Sequence, residues 1–104
     1  NVLIEQVCVT GASLAQPIAL LVLSEEGQEL PDHQVTASLN ETLAHVNAKL
    51  ESHQRLDRLI VMMEAWTIEN GLLTPTLKVK RHVLEERFPD VINQGYDDKI
   101  VWEN

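Results

Sequence analysis

The run Ile18-Ala-Leu-Leu-Val-Leu-Ser24 decides the fold class of this 104-residue chain. Six apolar residues in succession are typical of a central strand covered on both faces, because a strand with one face in water alternates apolar and polar residues. The β-branched and apolar residues 2–10 come shortly before it, and we expect the two strands to pair as an antiparallel hairpin. The apolar residues 59–63 predict a third strand, and residues 65–68 are the candidate for a short fourth.

An amphipathic helix separates the second and third of these strands. Apolar residues recur there at spacings of four, four, three and four, which places them on one face of a helix: Val35, Leu39, Leu43, Val46 and Leu50. We expect this helix over residues 33–53, with Asn47 on its water-facing side, and a loop over residues 25–29 before it. A shorter helix is predicted over residues 80–88, and Pro89 is expected to end it. The fold class that follows is α+β, a small mixed sheet of three to four strands packed by two to three helices.

The composition predicts a single globular domain over residues 1–104. Apolar residues make up 44% of the chain and aromatic residues 4%, so the core must consist mainly of aliphatic side chains. The net charge of −8 argues against nucleic acid or an anionic membrane surface as the main partner. No apolar run approaches the ~18 residues of a transmembrane segment, and the single cysteine, Cys8, fits a reducing cytoplasm. The chain starts at Asn1 without a Met, and we expect it to be part of a longer protein.

Neither a metal site nor a glycine-rich phosphate loop is predicted. A zinc site needs closely spaced ligands, whereas the histidines are scattered: His33, His45, His53 and His82. The four glycines are also too dispersed to build a loop around phosphates. The neighbouring acids Glu25 and Glu26, and likewise Glu85 and Glu86, point apart in regular structure and are predicted to be solvated charges.

A small basic island interrupts this acidic chain at Lys78-Val-Lys-Arg81, which holds three of its eight Lys and Arg residues. An extended backbone here would turn Lys78 and Lys80 to one side and Leu77 and Val79 to the other. Both lysines would lie at the start of a helix, where a cation opposes the helix dipole, and such a conflict with local preference is expected at functional positions. The alternative is a pair of solvated lysines with no role in chemistry.

The stretch around this island resembles a known signature. It reads Thr67-Ile-Glu-Asn-Gly-Leu-Leu-Thr-Pro-Thr-Leu-Lys-Val-Lys-Arg81 and resembles the C-terminal signature of long-chain fatty acyl-CoA synthetases, members of the AMP-forming, adenylate-forming superfamily. Other branches of that superfamily carry Thr-x-Ser-Gly-Lys-Ile-x-Arg, and the alignment places Lys78 on the catalytic lysine and Arg81 on the terminal arginine. This sequence departs from the pattern at Thr76, which replaces Ser, and at Leu77, which replaces Gly.

The resemblance implies that the parent enzyme catalyses two steps. A fatty carboxylate attacks the α-phosphate of Mg-ATP to give an acyl-adenylate, and coenzyme A (CoA) then displaces AMP. The implied catalytic residue is Lys78. Thr76, Lys80 and Arg81 are secondary candidates that hold the loop or contact the anions of substrate and nucleotide.

The resemblance also implies the partners of this chain. It would be the C-terminal lid domain of a cytoplasmic ligase and would close on a large N-terminal domain of the same enzyme. Fatty acid, Mg-ATP and CoA would bind in the interdomain cleft and none of them to this domain alone, which we expect to be inactive in isolation. Peripheral association of the parent enzyme with a membrane stays open. Two alternatives also stay open: the lid of a fatty acyl-AMP ligase, which stops after the first step, and a non-catalytic, acidic α+β interaction module.

Overall fold

The computed structural model describes residues 2–11, 16–93 and 99–103. Its elements are, in chain order, β1 (Ile4–Thr10), β2 (Ile18–Leu23), α1 (Glu25–Glu29), α2 (Asp32–Asn47), a single 3₁₀ turn (Ser52–Gln54), β3 (Leu59–Met62), α3 (Arg81–Arg87), α4 (Pro89–Asn93) and β4 (Ile100–Trp102). The four strands form one sheet in the order β1-β2-β3-β4. β1 pairs with β2 antiparallel, whereas β2–β3 and β3–β4 are parallel pairs. The predicted fold class, a small mixed sheet packed by helices, is confirmed.

Strand β2 has an apolar core on each of its faces. All six of its residues are buried, as the continuous apolar run predicts. Its side chains alternate between two apolar clusters. One cluster includes residues of α3 and holds Ile18, Leu20 and Val22. The other includes residues of α2 and holds Ala19, Leu21 and Leu23. Helix α2 therefore covers one face of the sheet, and the segment from Trp66 to α4 covers the other. The predicted site residues lie on the face that is covered by the segment from Trp66 to α4.

The loop predicted over residues 25–29 is wrong, because these residues form the short helix α1. Ser24 caps its start, since the Ser24 side-chain oxygen accepts a hydrogen bond of 3.2 Å from the Gly27 N–H. Gly27 is buried, and a Cβ added there would lie 2.7 Å from the carbonyl oxygen of Leu3. A helix of five residues has too little apolar periodicity to be recognised in a sequence.

Helix α2 ends at Asn47, earlier than the predicted residue 53. The Asn47 side chain accepts a hydrogen bond from the Leu56 N–H at 2.8 Å and donates one to the Leu56 carbonyl at 2.9 Å. The side chain predicted to face water therefore holds the returning chain against the end of the helix. Val46, predicted on the buried face, is 38% exposed. No helix in the described part of the chain is long and apolar enough to cross a membrane.

The fourth strand is β4 and not residues 65–68. Within that segment Trp66 is buried, but its backbone N–H and C=O bind the side-chain amide of Gln6, at 3.0 and 2.9 Å, and form no strand ladder. β4 instead lies along β3, with Ile100 opposite Leu59. The edge of β3 is thus covered by a segment far along the sequence.

Candidate active site

The predicted site residues lie on or beside a tight hairpin of residues 72–80, here named the lysine hairpin. Leu73 and Val79 pair across it as an antiparallel bridge. Three backbone hydrogen bonds close it: Lys80 N–H to Leu72 C=O at 2.8 Å, Thr74 N–H to Lys78 C=O at 2.9 Å, and Leu77 N–H to Thr74 C=O at 2.8 Å. The last of these defines a β-turn with Pro75 at its first central position, where a proline fits well. Lys78 follows directly after this turn.

The hydroxyl of Thr74 fixes the turn from inside. Its Oγ1 accepts a hydrogen bond from the Lys78 N–H at 3.1 Å and lies 3.1 Å from the Thr76 Oγ1. Thr74 thus contacts Lys78 with its N–H and with its side chain, which restricts the backbone at the lysine. Thr76, a predicted anion contact, is exposed and lies beside this bond.

Leu77 adopts a left-handed backbone conformation, with φ of 65°. A turn followed by one residue in this conformation is a common way to close a short hairpin, but the conformation costs a residue with a side chain roughly 1–2 kcal/mol. Leu77 is 66% exposed, whereas Val79 packs against the core. The predicted alternation along this segment is therefore wrong, because the left-handed residue turns the Leu77 side chain outward. Leu77 replaces the Gly of the superfamily pattern, yet it adopts the positive φ for which glycine is suited.

Lys78 is exposed at the end of this hairpin and forms no ion pair with any residue in the ranges 2–11, 16–93 and 99–103. Its backbone is held by two contacts with Thr74, while its side chain extends from a structured loop. An ammonium group presented in this way is free to contact an anion supplied by another domain or by a ligand.

The other two predicted cations, Lys80 and Arg81, have different surroundings from Lys78. Lys80 is half-buried and is the residue before the first turn of α3. Arg81 is exposed and lines a shallow cleft that does not include Lys78, between the end of β1 and α3. α3 stops before Pro89, as predicted, but this proline then begins α4, since a proline is tolerated in the first turn of a helix.

Sequence reasoning missed the contacts that attach α3 to β1. The buried Thr10 donates a hydrogen bond of 2.6 Å from its hydroxyl to a carboxylate oxygen of Glu85, which was predicted to be solvated. Burial raises the pKa of the nearby Cys8 thiol, the Arg81 charge lowers it and the Glu85 charge raises it. No sequence signal connects Thr10 with Glu85, because 75 positions separate them.

Asn70 is a second residue that sequence reasoning missed as part of the site. Its side-chain oxygen accepts hydrogen bonds from the N–H groups of Thr67 and Leu72, at 3.0 and 3.2 Å, and its side-chain amide donates to the Ala65 carbonyl at 2.9 Å. These bonds close the turn from which the lysine hairpin starts. The only sequence signal was the Asn-Gly pair, which indicates a turn but not its contacts.

Other features of the described residues do not add to this site. None of their His, Cys, Asp and Glu side chains form a group of three or more that could hold a metal ion. A cavity of about 270 Å³ opens where β2 and β3 end, lined in part by Asp32, Met63 and Trp102, and none of the four predicted site residues lines it. The lysine hairpin therefore remains the candidate site.

Comparison with known proteins shows the family of this chain. Residues 1–100 match the family model described as the AMP-binding enzyme C-terminal domain. The chain belongs to this family. Its curated relatives include carboxylic acid reductase from Mycobacterium marinum, 31% identical over 92% of this chain and 8% of the relative. Long chain acyl-CoA synthetase 8 from Arabidopsis thaliana is 32% identical over 71% of this chain and 10% of the relative.

Solved structures similar to this AMP-binding enzyme C-terminal domain support the same fold. The adenylation domain of a carboxylate reductase from Mycobacterium chelonae superimposes with a TM-score of 0.64 at 27% identity, over 86% of this chain and 15% of that one. The A-PCP didomain of carboxylic acid reductase from Segniliparus rugosus, solved in complex with AMP, gives a TM-score of 0.70 at 24% identity, over 88% of this chain and 13% of that one. The chain spans about a tenth of the length of the curated relatives described above.

Proposed function

We propose that this domain is the C-terminal lid of an enzyme that activates long-chain fatty acids by adenylation, and that Lys78 is its catalytic lysine. The single observation that carries this proposal is the exposed Lys78 ammonium, which projects from a hairpin fixed by hydrogen bonds and forms no ion pair with the described residues. Thr76 and Lys80 flank Lys78 and are secondary contacts for anions. Arg81, which lies beside Glu85, is a weaker candidate.

The proposed chemistry explains why a lysine is needed. A carboxylate oxygen of the fatty acid bonds to the α-phosphorus of ATP while the bond from that phosphorus to the pyrophosphate oxygen breaks, giving acyl-adenylate and pyrophosphate. Two anions must approach each other, and negative charge accumulates on the phosphoryl oxygens. A compact ammonium placed between them offsets the repulsion and orients the attack. Lysine suits such a point contact better than arginine, whose guanidinium is a planar fork.

The remaining parts of the active site are assigned to a large N-terminal domain of the same protein. Mg-ATP, the fatty acid and CoA would bind in the cleft between the two domains, and this domain would be inactive alone. The similarity to proteins about ten times longer supports this division, since this chain matches only 8% and 10% of two such relatives. A lysine on a mobile lid can enter the cleft for adenylation and leave it before the thiol attacks.

The test is Lys78→Ala in the enzyme that carries this domain joined to its large domain. Adenylation, measured as ATP–pyrophosphate exchange with a fatty acid, should fall by about 10²–10³, whereas thioester formation from supplied acyl-adenylate should be retained. Lys49→Ala is the matched control, because Lys49 is also exposed but follows α2, away from the lysine hairpin. Equal loss of the two half-reactions in Lys78→Ala would reject the assignment.

A second candidate differs in the thiol that receives the acyl group. One curated match, over 92% of this chain, is to a carboxylic acid reductase, and another relative, from Arabidopsis thaliana, is named a long-chain-fatty-acid–[acyl-carrier-protein] ligase. The name of the second relative points to a carrier-bound thiol as the acceptor, whereas long chain acyl-CoA synthetase 8 points to CoA. Supplying the purified enzyme with acyl-adenylate and either CoA or a phosphopantetheinylated carrier protein separates the two candidates. An enzyme that forms acyl-adenylate from fatty acid and ATP but makes a thioester with neither thiol would be an acyl-AMP ligase.

A further inference from the structure

Arg87, in the last turn of α3, reaches back to the turn before the lysine hairpin. Its Nη1 donates a hydrogen bond to the Asn70 carbonyl oxygen, across 17 positions of sequence. Its Nη2 lies 2.9 Å from the place that a Cβ on Gly71 would occupy, and Gly71 has φ of +82°. The positive φ favours glycine, and a side chain at this position would have to displace the guanidinium.

The Arg87–Asn70 contact closes a ring around the base of the hairpin. Asn70 binds the Leu72 N–H through its side chain, and the Leu72 carbonyl accepts a hydrogen bond from the Lys80 N–H. Lys80 in turn precedes α3, the helix that carries Arg87. Both strands of the hairpin are thereby attached to one helix, one at its start and the other near its end.

We propose that Arg87 and Asn70 are positioning residues that hold the lysine hairpin at a fixed angle to α3 and so place the Lys78 ammonium for adenylation. The proposal rests on the proposed function of Lys78. Leu72, Leu73 and Val79 pack into the core at the base of the hairpin, but its exposed tip has no such support. A small tilt at the base therefore moves Lys78, and a shift of about 1 Å at a reacting group can cost about 10² in rate. A hydrogen bond from a charged donor resists that tilt better than a neutral one.

The exposure of Arg87 distinguishes positioning from core packing. Leu84, one turn earlier on α3, is fully buried and attaches the helix to the sheet, whereas the Arg87 side chain is exposed. Removing an exposed side chain should leave the fold intact. Arg55 provides a matched control, because it is likewise exposed and donates from Nε to the Leu50 carbonyl at 3.3 Å, outside the hairpin.

The experiment compares Arg87→Ala, Arg87→Lys and Arg55→Ala in the enzyme joined to its large domain. Arg87→Ala should lower ATP–pyrophosphate exchange about tenfold, less than the loss of about 10² for a shift of about 1 Å because the core still holds the base of the hairpin. Thioester formation from supplied acyl-adenylate should be unchanged. Arg87→Lys should recover part of that loss, because an ammonium can still donate to the Asn70 carbonyl. Arg55→Ala should affect neither half-reaction, and all three proteins should unfold at similar temperatures.

A double variant with Lys78→Ala completes the test. If Arg87 acts through Lys78, Arg87→Ala should cause no further loss in the Lys78→Ala background. A further loss by the same factor, an equal loss in both half-reactions, or no loss in the single variant would each overturn the positioning role while leaving the proposed role of Lys78 intact. Unimpaired adenylation in Lys78→Ala alone would instead reject the proposed function itself.

Discussion

Strand β2 and the lysine hairpin are held by different forces, although both belong to the same small domain. All six residues of β2 are buried between two apolar clusters, and no side chain of the strand is polar. The hairpin tip, by contrast, is exposed and is held by backbone hydrogen bonds, a threonine hydroxyl and one left-handed residue. The strand needs apolar side chains of suitable size, whereas the hairpin needs particular residues at particular positions.

The largest expected effect comes from disrupting the buried side of this comparison. Leu39 of α2 is fully buried against the β2 face, and Leu39→Ala should lower the free energy of unfolding by about 2–5 kcal/mol. Urea unfolding measures this change. Val46→Ala on the same helix is the control, because Val46 is 38% exposed and should cost much less. Similar losses for the two variants would contradict the described packing of α2.

An intermediate effect is expected at the hairpin. Thr74→Val removes the acceptor of the Lys78 N–H, so the free energy of unfolding should fall by about 0.5–1.5 kcal/mol. In the parent enzyme, adenylation should fall about tenfold because the lysine is less well placed. Thr74→Ser keeps the hydroxyl and should preserve most of the exchange rate. Equal exchange rates for the Val and Ser variants would show that the Thr74 hydroxyl does not help to position Lys78.

The smallest expected effect concerns the left-handed residue. Leu77→Gly should raise the free energy of unfolding by up to about 1 kcal/mol, because glycine adopts a positive φ at no steric cost but loses more entropy on folding. Leu77→Val should lower it, since a β-branched residue is especially unfavourable there. The same urea titration orders the three proteins. A Val variant as stable as the parent sequence would contradict the left-handed conformation.

Strands β2 and β3 could be predicted from sequence because their burial leaves a direct record in composition. Continuous apolar runs identified β2 and β3, and the periodicity of α2 identified its buried face. The fourth strand could not be identified in this way. Residues 65–68 are as strand-like as β4, and the choice depends on which segment reaches the free edge of β3. Pairing with β3 selects β4, and a local sequence pattern does not record a contact between segments so far apart.

The candidate site was predictable only where its residues are adjacent in sequence. The signature around Lys78 is local, so the sequence was enough to identify this lysine as a candidate. Its catalytic role is still a prediction. The Arg87–Asn70 and Thr10–Glu85 contacts join positions 17 and 75 apart, and neither pair leaves a pattern in the chain. The conformation of Leu77 was missed because leucine rarely adopts a positive φ.

The parallel pairing of β3 with β4 also covers an apolar strand edge. β4 has three residues, yet it covers one edge of a strand whose four residues are all buried. Without β4, β3 would expose a row of unpaired N–H and C=O groups along an apolar strand, which is a template for pairing with other chains. We therefore expect loss of this short strand to promote aggregation, although the strand lies far along the chain from the lysine hairpin.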